Sequence, residues 1–135
     1  MNWIVTYIRN QFPDAPVIDT DKVKELIENV DKEVFLIDCR RPDEYAVSKI
    51  PGATNLHFKC DDEEIKDVLE SNGVNQQTLV INYCSLGYRS AIMTKRIKDA
   101  IGTDPNLNQG ILNGFLKIAL PLLIFNFLGT TQYFV

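Results

Sequence analysis

Three shortages narrow what this chain can do before any motif is read. It has no Cys-x-x-Cys pair, a single histidine, and no strong excess of charge of either sign. Its three cysteines, Cys39, Cys60 and Cys84, are odd in number and widely and unevenly spaced, which suits neither a disulfide framework nor a tetrahedral zinc site; His57 is not placed as a fourth ligand. The expectation is therefore free thiols in a reducing, cytoplasmic setting, with no metal and no cofactor. Fourteen basic residues against eighteen acidic ones give a formal net charge of -4, too mild and of the wrong sign to hold a nucleic acid by bulk attraction, so a small molecule or a protein is the expected partner. The oligomeric state leaves no mark in the sequence.

Internal repeats, low-complexity tracts and linkers are also missing. A chain of 135 residues, 45% hydrophobic and 24% charged, fits one ordinary globular domain able to bury its own core. The expectation is a single domain over residues 1–135, with residues 1–16 as an N-terminal extension and residues 122–135 as an apolar tail. Met1 to Asn10 lacks the charged start and long apolar middle of a secretory signal and reads as a short leading helix or arm. The run from Ile111 to Leu128 is dense in Leu, Ile and Phe, but Asn113, Gly114, Lys117, Pro121 and Asn126 interrupt it. Proline in its middle would break a spanning helix, so a buried helix and strand-like tail is expected rather than membrane association, and Phe115, Phe125 and Phe127 are read as core.

What is present alternates between strand and helix signals. Thr20 reads as an N-cap ahead of an acidic first turn, and Val23, Leu26, Ile27 and Val30 recur at helical spacing. Val34-Phe35-Leu36-Ile37 is a continuous apolar run ending at Asp38, as expected of a strand covered on both faces. A helical turn over Asp43 to Val47 leads to the Pro51-Gly52 turn and an extended piece at Asn55-Leu56. Asp61 to Leu69 carries Ile65, Val68 and Leu69 on one side of a helix that Ser71-Asn72-Gly73 stops. A second buried strand runs from Thr78 to Tyr83, and helical periodicity resumes from Ser90 to Lys98. Strands and helices alternating at these spacings imply an α/β parallel sheet, whose ligands bind beyond the carboxyl ends of the strands.

The loop between that strand and helix, Cys84-Ser85-Leu86-Gly87-Tyr88-Arg89, falls at such an end. Strand, short glycine-containing loop and helix place successive main-chain N–H groups around one point at the positive end of the helix, which makes an anion cradle. A cysteine at its first position would have its thiolate inside the cradle, with its pKa lowered and no need of a general base. Arg89 closes the loop with a planar fork able to face an oxyanion, while Lys95, Arg96 and Lys98 add positive charge behind it. Cys39 and Cys60 are read as small buried hydrophobes, and His57 as a structural or surface residue. Asp61-Asp62-Glu63-Glu64 is read as a solvated helix start and not a metal site.

Two stretches in this order resemble single-domain rhodaneses: Leu36-Ile37-Asp38-Cys39-Arg40 with Asp43-Glu44-Tyr45 and Ile50-Pro51-Gly52-Ala53, and Tyr83-Cys84-Ser85-Leu86-Gly87-Tyr88-Arg89-Ser90-Ala91. A weaker third is Leu107-Asn108-Gln109-Gly110-Ile111 leading to Pro121, so the resemblance runs from about Val17 to Pro121. It implies a rhodanese-like three-layer sandwich with a mostly parallel five-stranded sheet and helices on both faces. It also implies sulfurtransferase chemistry, in which Cys84 takes sulfane sulfur from thiosulfate or a persulfide donor and passes it to a thiol or cyanide acceptor. In that picture Ser85, Leu86, Gly87, Tyr88 and Arg89 bind substrate, and Asp38, Arg40, Glu44 and Ser90 support the loop. The sequence departs from the family pattern at Ser48-Lys49, Asn108-Gln109, Phe115 and the apolar Leu86.

Two rival readings stand beside this one. Cysteine-dependent phosphatases and arsenate reductases also set a thiolate and an arginine around an oxyanion, but with five residues between them, whereas Cys84 and Arg89 enclose four. A rhodanese-like sulfur carrier or protein-binding module with little turnover is the other, since fold alone does not dictate function.

Overall fold

The computed structural model describes residues 2–11, 20–31, 33–75, 77–85 and 87–101. A leading helix α1 (Asn2–Gln11) is followed by α2 (Thr20–Glu28), β1 (Val34–Asp38), α3 (Pro42–Val47), β2 (Thr54–Asn55), α4 (Asp62–Ser71), β3 (Leu79–Tyr83) and α5 (Tyr88–Ile101). The sheet has the order β2-β1-β3, with every pairing parallel. Three of the five expected strands are thus among the described residues. The weaker third stretch from Leu107 to Pro121, the apolar run from Ile111 to Leu128 and the tail at 122–135 lie outside them. No helix among the described residues is long and apolar enough to cross a membrane.

Both faces of the sheet are covered, for a reason visible in the strands' alternation. Successive side chains of a strand point to opposite faces, so a run that is apolar throughout must be buried on both. Ile37, Val80 and Cys84 join Ile65 and Leu69 of α4 and Met93 and Ile97 of α5 in one core cluster. Leu36, Ile81 and Tyr83 join Val23 of α2, Ile50 and Ala53 in a second.

Local chemistry sets the ends of the elements. Pro42 opens α3, where its missing N–H costs nothing, and the Arg41 N–H ahead of it donates to Glu44 Oε2 at 3.0 Å. Asp61 caps α4 by accepting from the Glu64 N–H at 2.8 Å, so the acidic run is a helix start. Gly73, at φ +69°, follows the end of that helix in the left-handed region. Two expectations need correction. Thr20 is the first residue of α2 instead of its cap, and Val30 lies beyond the helix end, 96% exposed, because α2 stops at Glu28 before the apolar period reaches it.

Register places the site. β1 and β3 pair with Asp38 opposite Tyr83, and the ladder continues one step through the Cys39 N–H, which donates to the Tyr83 carbonyl at 3.1 Å. Asp38 and Tyr83 therefore share one face of the sheet, and Cys39 and Cys84, one residue further on, share the other.

Candidate active site

The Cys84 sulfur sits at the carboxyl end of β3, directly below the start of α5. The Gly87 N–H donates to it at 3.1 Å and the Ser90 N–H at 3.4 Å. The Ser90 hydroxyl lies 3.5 Å away and also reaches the Gly87 carbonyl at 3.2 Å. The Gly87 N–H directly precedes α5 and the Ser90 N–H lies in its first turn, where the leading donors have no partner within the helix, so the sulfur occupies the place an anion would take. Gly87 has φ +95°, a conformation a side chain would strain, which is how the chain turns sharply enough to aim its own N–H back at residue 84.

Cys84 is 2% exposed, yet its thiol is lowered from the ordinary range to about 5. The strongest influence is the neighbouring Cys39 thiol. Burial opposes it, and the Ser90 hydroxyl, the Ser90 N–H and the Gly87 N–H then add to the lowering. The Cys39 thiol itself donates to the Tyr83 carbonyl at 3.2 Å. The direction of the Cys84 shift stands all the same, because main-chain N–H groups donate only to the anion's benefit. Burial and the neighbouring Cys84 push the Cys39 thiol itself well up, so the pair shares its protons unequally: residue 84 ionises and residue 39 stays a thiol.

Cys39 is fully buried in the core, as a small hydrophobe would be, with its thiol on the Tyr83 carbonyl and Cys84 as its neighbour. The signal that could have revealed this nearness is the matched phase of Asp38-Cys39 and Tyr83-Cys84 at two strand ends, which becomes legible only once the register is known. Cys60 is half-buried, and its thiol is raised, first of all by that burial. His57 is half-buried and packs edge-on against Phe58.

Arg89 lies inside α5, which begins at Tyr88, so the loop proper is shorter than expected. Its fork is engaged: Nη1 donates to Glu44 Oε2 at 2.7 Å and Nη2 to Glu44 Oε1 at 3.2 Å, with a further bond from Nη2 to Ser85 Oγ at 3.4 Å. A planar guanidinium meets a carboxylate best in this two-pronged way, and the contact holds the Glu44 carboxyl down at about 2. Arg89 and Glu44 thereby lock α3 to α5 and pin Ser85, while the arginine's charge still acts on Cys84. Tyr88 stands exposed at the head of α5. Leu86 lies outside the described residues.

Asp38 and Arg40 build a separate cluster on the other face. Arg40 donates to Asp38 through Nε at 2.9 and 3.1 Å and through Nη2 at 2.6 Å, and the same Nη2 reaches the Ser48 carbonyl at 2.6 Å. The Tyr83 hydroxyl donates to Asp38 Oδ2 at 3.0 Å and accepts from the Ile50 N–H at 3.1 Å. Burial, with Asp38 beside it, raises the Tyr83 phenol and keeps it protonated. The cluster fixes the residue immediately before Cys84, which is how Asp38 and Arg40 reach the loop without touching it. No group of three or more His, Cys, Asp or Glu side chains among the described residues is placed to hold a metal.

A cysteine sulfur held by main-chain N–H groups at a strand-to-helix turn, on the carboxyl edge of a parallel sheet covered on both faces, places the chain among the α/β domains. The sequence profile of the rhodanese-like domain matches residues 19–116, and the chain belongs to that family. Over 73 residues it is 34% identical to M-phase inducer phosphatase 1 of Bos taurus; the match spans 52% of this chain and 14% of the length of that protein. The fold is similar to the As-Sb reductase of Leishmania major, with a TM-score of 0.67 at 16% identity over 88% of this chain and 82% of that one. It is also similar to a thiosulfate sulfurtransferase of Pseudomonas aeruginosa, with a TM-score of 0.63 at 22% identity over 92% of this chain and 21% of that one.

Proposed function

We propose that this protein is a sulfurtransferase that carries sulfane sulfur as a persulfide on Cys84. The observation that carries the reading is the pair of main-chain N–H groups, from Gly87 and Ser90, that converge on the buried Cys84 sulfur and lower its pKa. With thiosulfate as donor, the Cys84 thiolate attacks the outer sulfur, a new S–S bond forms, and the old one breaks with its electron pair leaving on sulfite. The persulfide keeps the negative charge that the thiolate brought, and the N–H groups that held one sulfur anion are placed to hold the charge as it moves. A thiolate or cyanide then attacks the outer sulfur, and Cys84 returns to the thiolate. Each step conserves charge and needs no general base, in keeping with the absence of a histidine from the sulfur's hydrogen-bond partners among the described residues.

In this reading Ser85, Gly87 and Tyr88, together with Leu86, border the donor. Asp38, Arg40, Glu44, Arg89 and Ser90 hold the loop. The free thiols support a reducing, cytoplasmic setting for one catalytic domain. Incubation with thiosulfate and cyanide should yield thiocyanate, with no product from Cys84→Ser.

A second reading, phosphate-ester hydrolysis, is favoured by the identity shared with M-phase inducer phosphatase 1. Against it stand the four residues between Cys84 and Arg89 and the engagement of the arginine's fork by Glu44, which leaves it poorly placed for a tetrahedral phosphate. Hydrolysis of an aryl phosphate without thiocyanate formation would select the phosphatase. Persulfide formation without turnover would select a sulfur carrier.

A further inference from the structure

Asn82 is an amide in a place suited to a hydrocarbon. It lies on β3 between Val80 and Cys84, is fully buried, and pairs across the sheet with Ile37, on the face that α5 covers with Met93 and Ile97. Its Nδ2 donates to Thr94 Oγ1 at 2.9 Å, and the Thr94 hydroxyl donates in turn to the Ser90 carbonyl at 2.9 Å. The other half of the amide, Oδ1, is buried with no hydrogen-bond partner. Turning the amide over does not cure this. Oδ1 would then face a hydroxyl whose single proton is already committed to Ser90, and Nδ2 would take its place as the orphan. Either orientation costs free energy that a leucine of similar size would not.

The two bonds cross the gap that the site depends on. The Cys84 sulfur rides on the end of β3, two residues after Asn82. Its main-chain donors ride on the start of α5, where Ser90 is one turn before Thr94. Hydrogen bonds to sulfur weaken steeply with distance and angle, so the spacing between strand end and helix start decides whether both N–H groups reach it. An amide on the strand, a hydroxyl on the helix and the carbonyl of Ser90 tie those two elements beside the sulfur, in an otherwise apolar contact that could slide.

We propose that Asn82 and Thr94 form a brace between β3 and α5 that holds the Gly87 and Ser90 N–H groups in bonding range of the Cys84 sulfur, making both of them positioning residues for sulfur transfer. The proposal rests on the reading of Cys84 as the sulfur-carrying thiolate. The buried, half-satisfied amide is then kept for what it does to the sulfur and not for stability.

The test is the pH dependence of Cys84 alkylation by iodoacetamide in the full chain, with the labelled cysteine identified by peptide mass, in wild type, Asn82→Leu, Thr94→Val and Thr94→Ser. Wild type should titrate near pH 5. In Asn82→Leu and Thr94→Val the midpoint should move up by about one unit, the size of one lost hydrogen bond, while Thr94→Ser, which keeps the hydroxyl, should titrate as wild type. An unmoved midpoint in Thr94→Val or in a folded Asn82→Leu overturns the brace and leaves the Cys84 reading intact, as does a Thr94→Ser shift as large as that of Thr94→Val. If Asn82→Leu does not fold, the two Thr94 variants decide the matter. A wild-type midpoint in the ordinary thiol range overturns the Cys84 reading and the brace together.

Discussion

Two polar clusters stand one residue apart at the carboxyl ends of β1 and β3, on opposite faces of the sheet. On one face, Asp38, Arg40 and Tyr83 bury an ion pair and a phenol and engage one another fully, with the spare donor on Ser48 and the spare acceptor on Ile50. On the other, the Cys84 sulfur gathers main-chain donors from Gly87 and Ser90, with its pKa lowered. Both clusters bury charge. The first cancels its charge internally, which makes it a fastener, while the second surrounds a lone sulfur with dipoles, which suits it to the nucleophilic role proposed above. A buried titratable group is thus marked as reactive by partners that leave its charge uncancelled, more than by burial or by a shifted pKa.

Substitutions should separate the two clusters by what they damage. The largest effect is expected from Cys84→Ser, which should take sulfur transfer to background while the urea midpoint of unfolding, measured at pH 5 where the thiolate's contribution to stability has faded, stays close to wild type. Asp38→Ala should do the reverse. It strands the Arg40 guanidinium at 5% side-chain exposure, and unfolding in urea should show a loss of about 3–5 kcal/mol. Transfer per folded molecule should survive far better than in Cys84→Ser. A variant of Asp38 that folded as stably as wild type would break the comparison.

Smaller effects sharpen it. Arg89→Met releases α3 from α5 and removes a cation near the sulfur, so transfer should fall about tenfold, the size of one charge-assisted hydrogen bond of roughly 1.5 kcal/mol. Glu44, pulled down to about 2 by Arg89, adds stability that is complete above its ordinary value of 4.5 and is lost as pH falls through 2. Acid unfolding of Arg89→Met should therefore be less steep in that window. Cys39→Ala removes the thiol beside Cys84, and the alkylation midpoint of Cys84 should rise, with a transfer loss of a few fold measured at pH 6. In wild type, ionised Cys84 favours the folded state most above its unfolded pKa of about 8.5, and that contribution fades as pH drops toward 5. Cys84→Ser should flatten the stability profile between those limits.

Much of this arrangement is legible in the residues alone, and the parts that are not share a cause. Val34 to Asp38 and Leu79 to Tyr83 announce themselves as buried strands because every residue in them must find a covered face, and the Cys84 loop follows from a strand meeting a helix across a glycine. The capping of α4 by Asp61 is equally local. What escapes the sequence depends on partners distant along the chain. The nearness of Cys39 to Cys84 needs the register of two strands whose paired residues lie 45 apart, and the diversion of Arg89 to Glu44 needs the docking of α3 against α5. The start of α5 at Tyr88 reads as loop because the apolar period that reveals a helix begins only at Ala91. Val30 fails in the opposite sense: its spacing suits the helix, but the helix has ended.

If the sulfur of residue 84 is an anion able to hold a second sulfur atom, intact-mass measurement after exposure to thiosulfate or an organic persulfide should find a chain heavier by one sulfur, mapped to Cys84, restored by cyanide or a thiol reductant and absent in Cys84→Ser. A chain that gains nothing from either donor, or gains its sulfur on Cys39 or Cys60 with Cys84 unmodified, would contradict that premise.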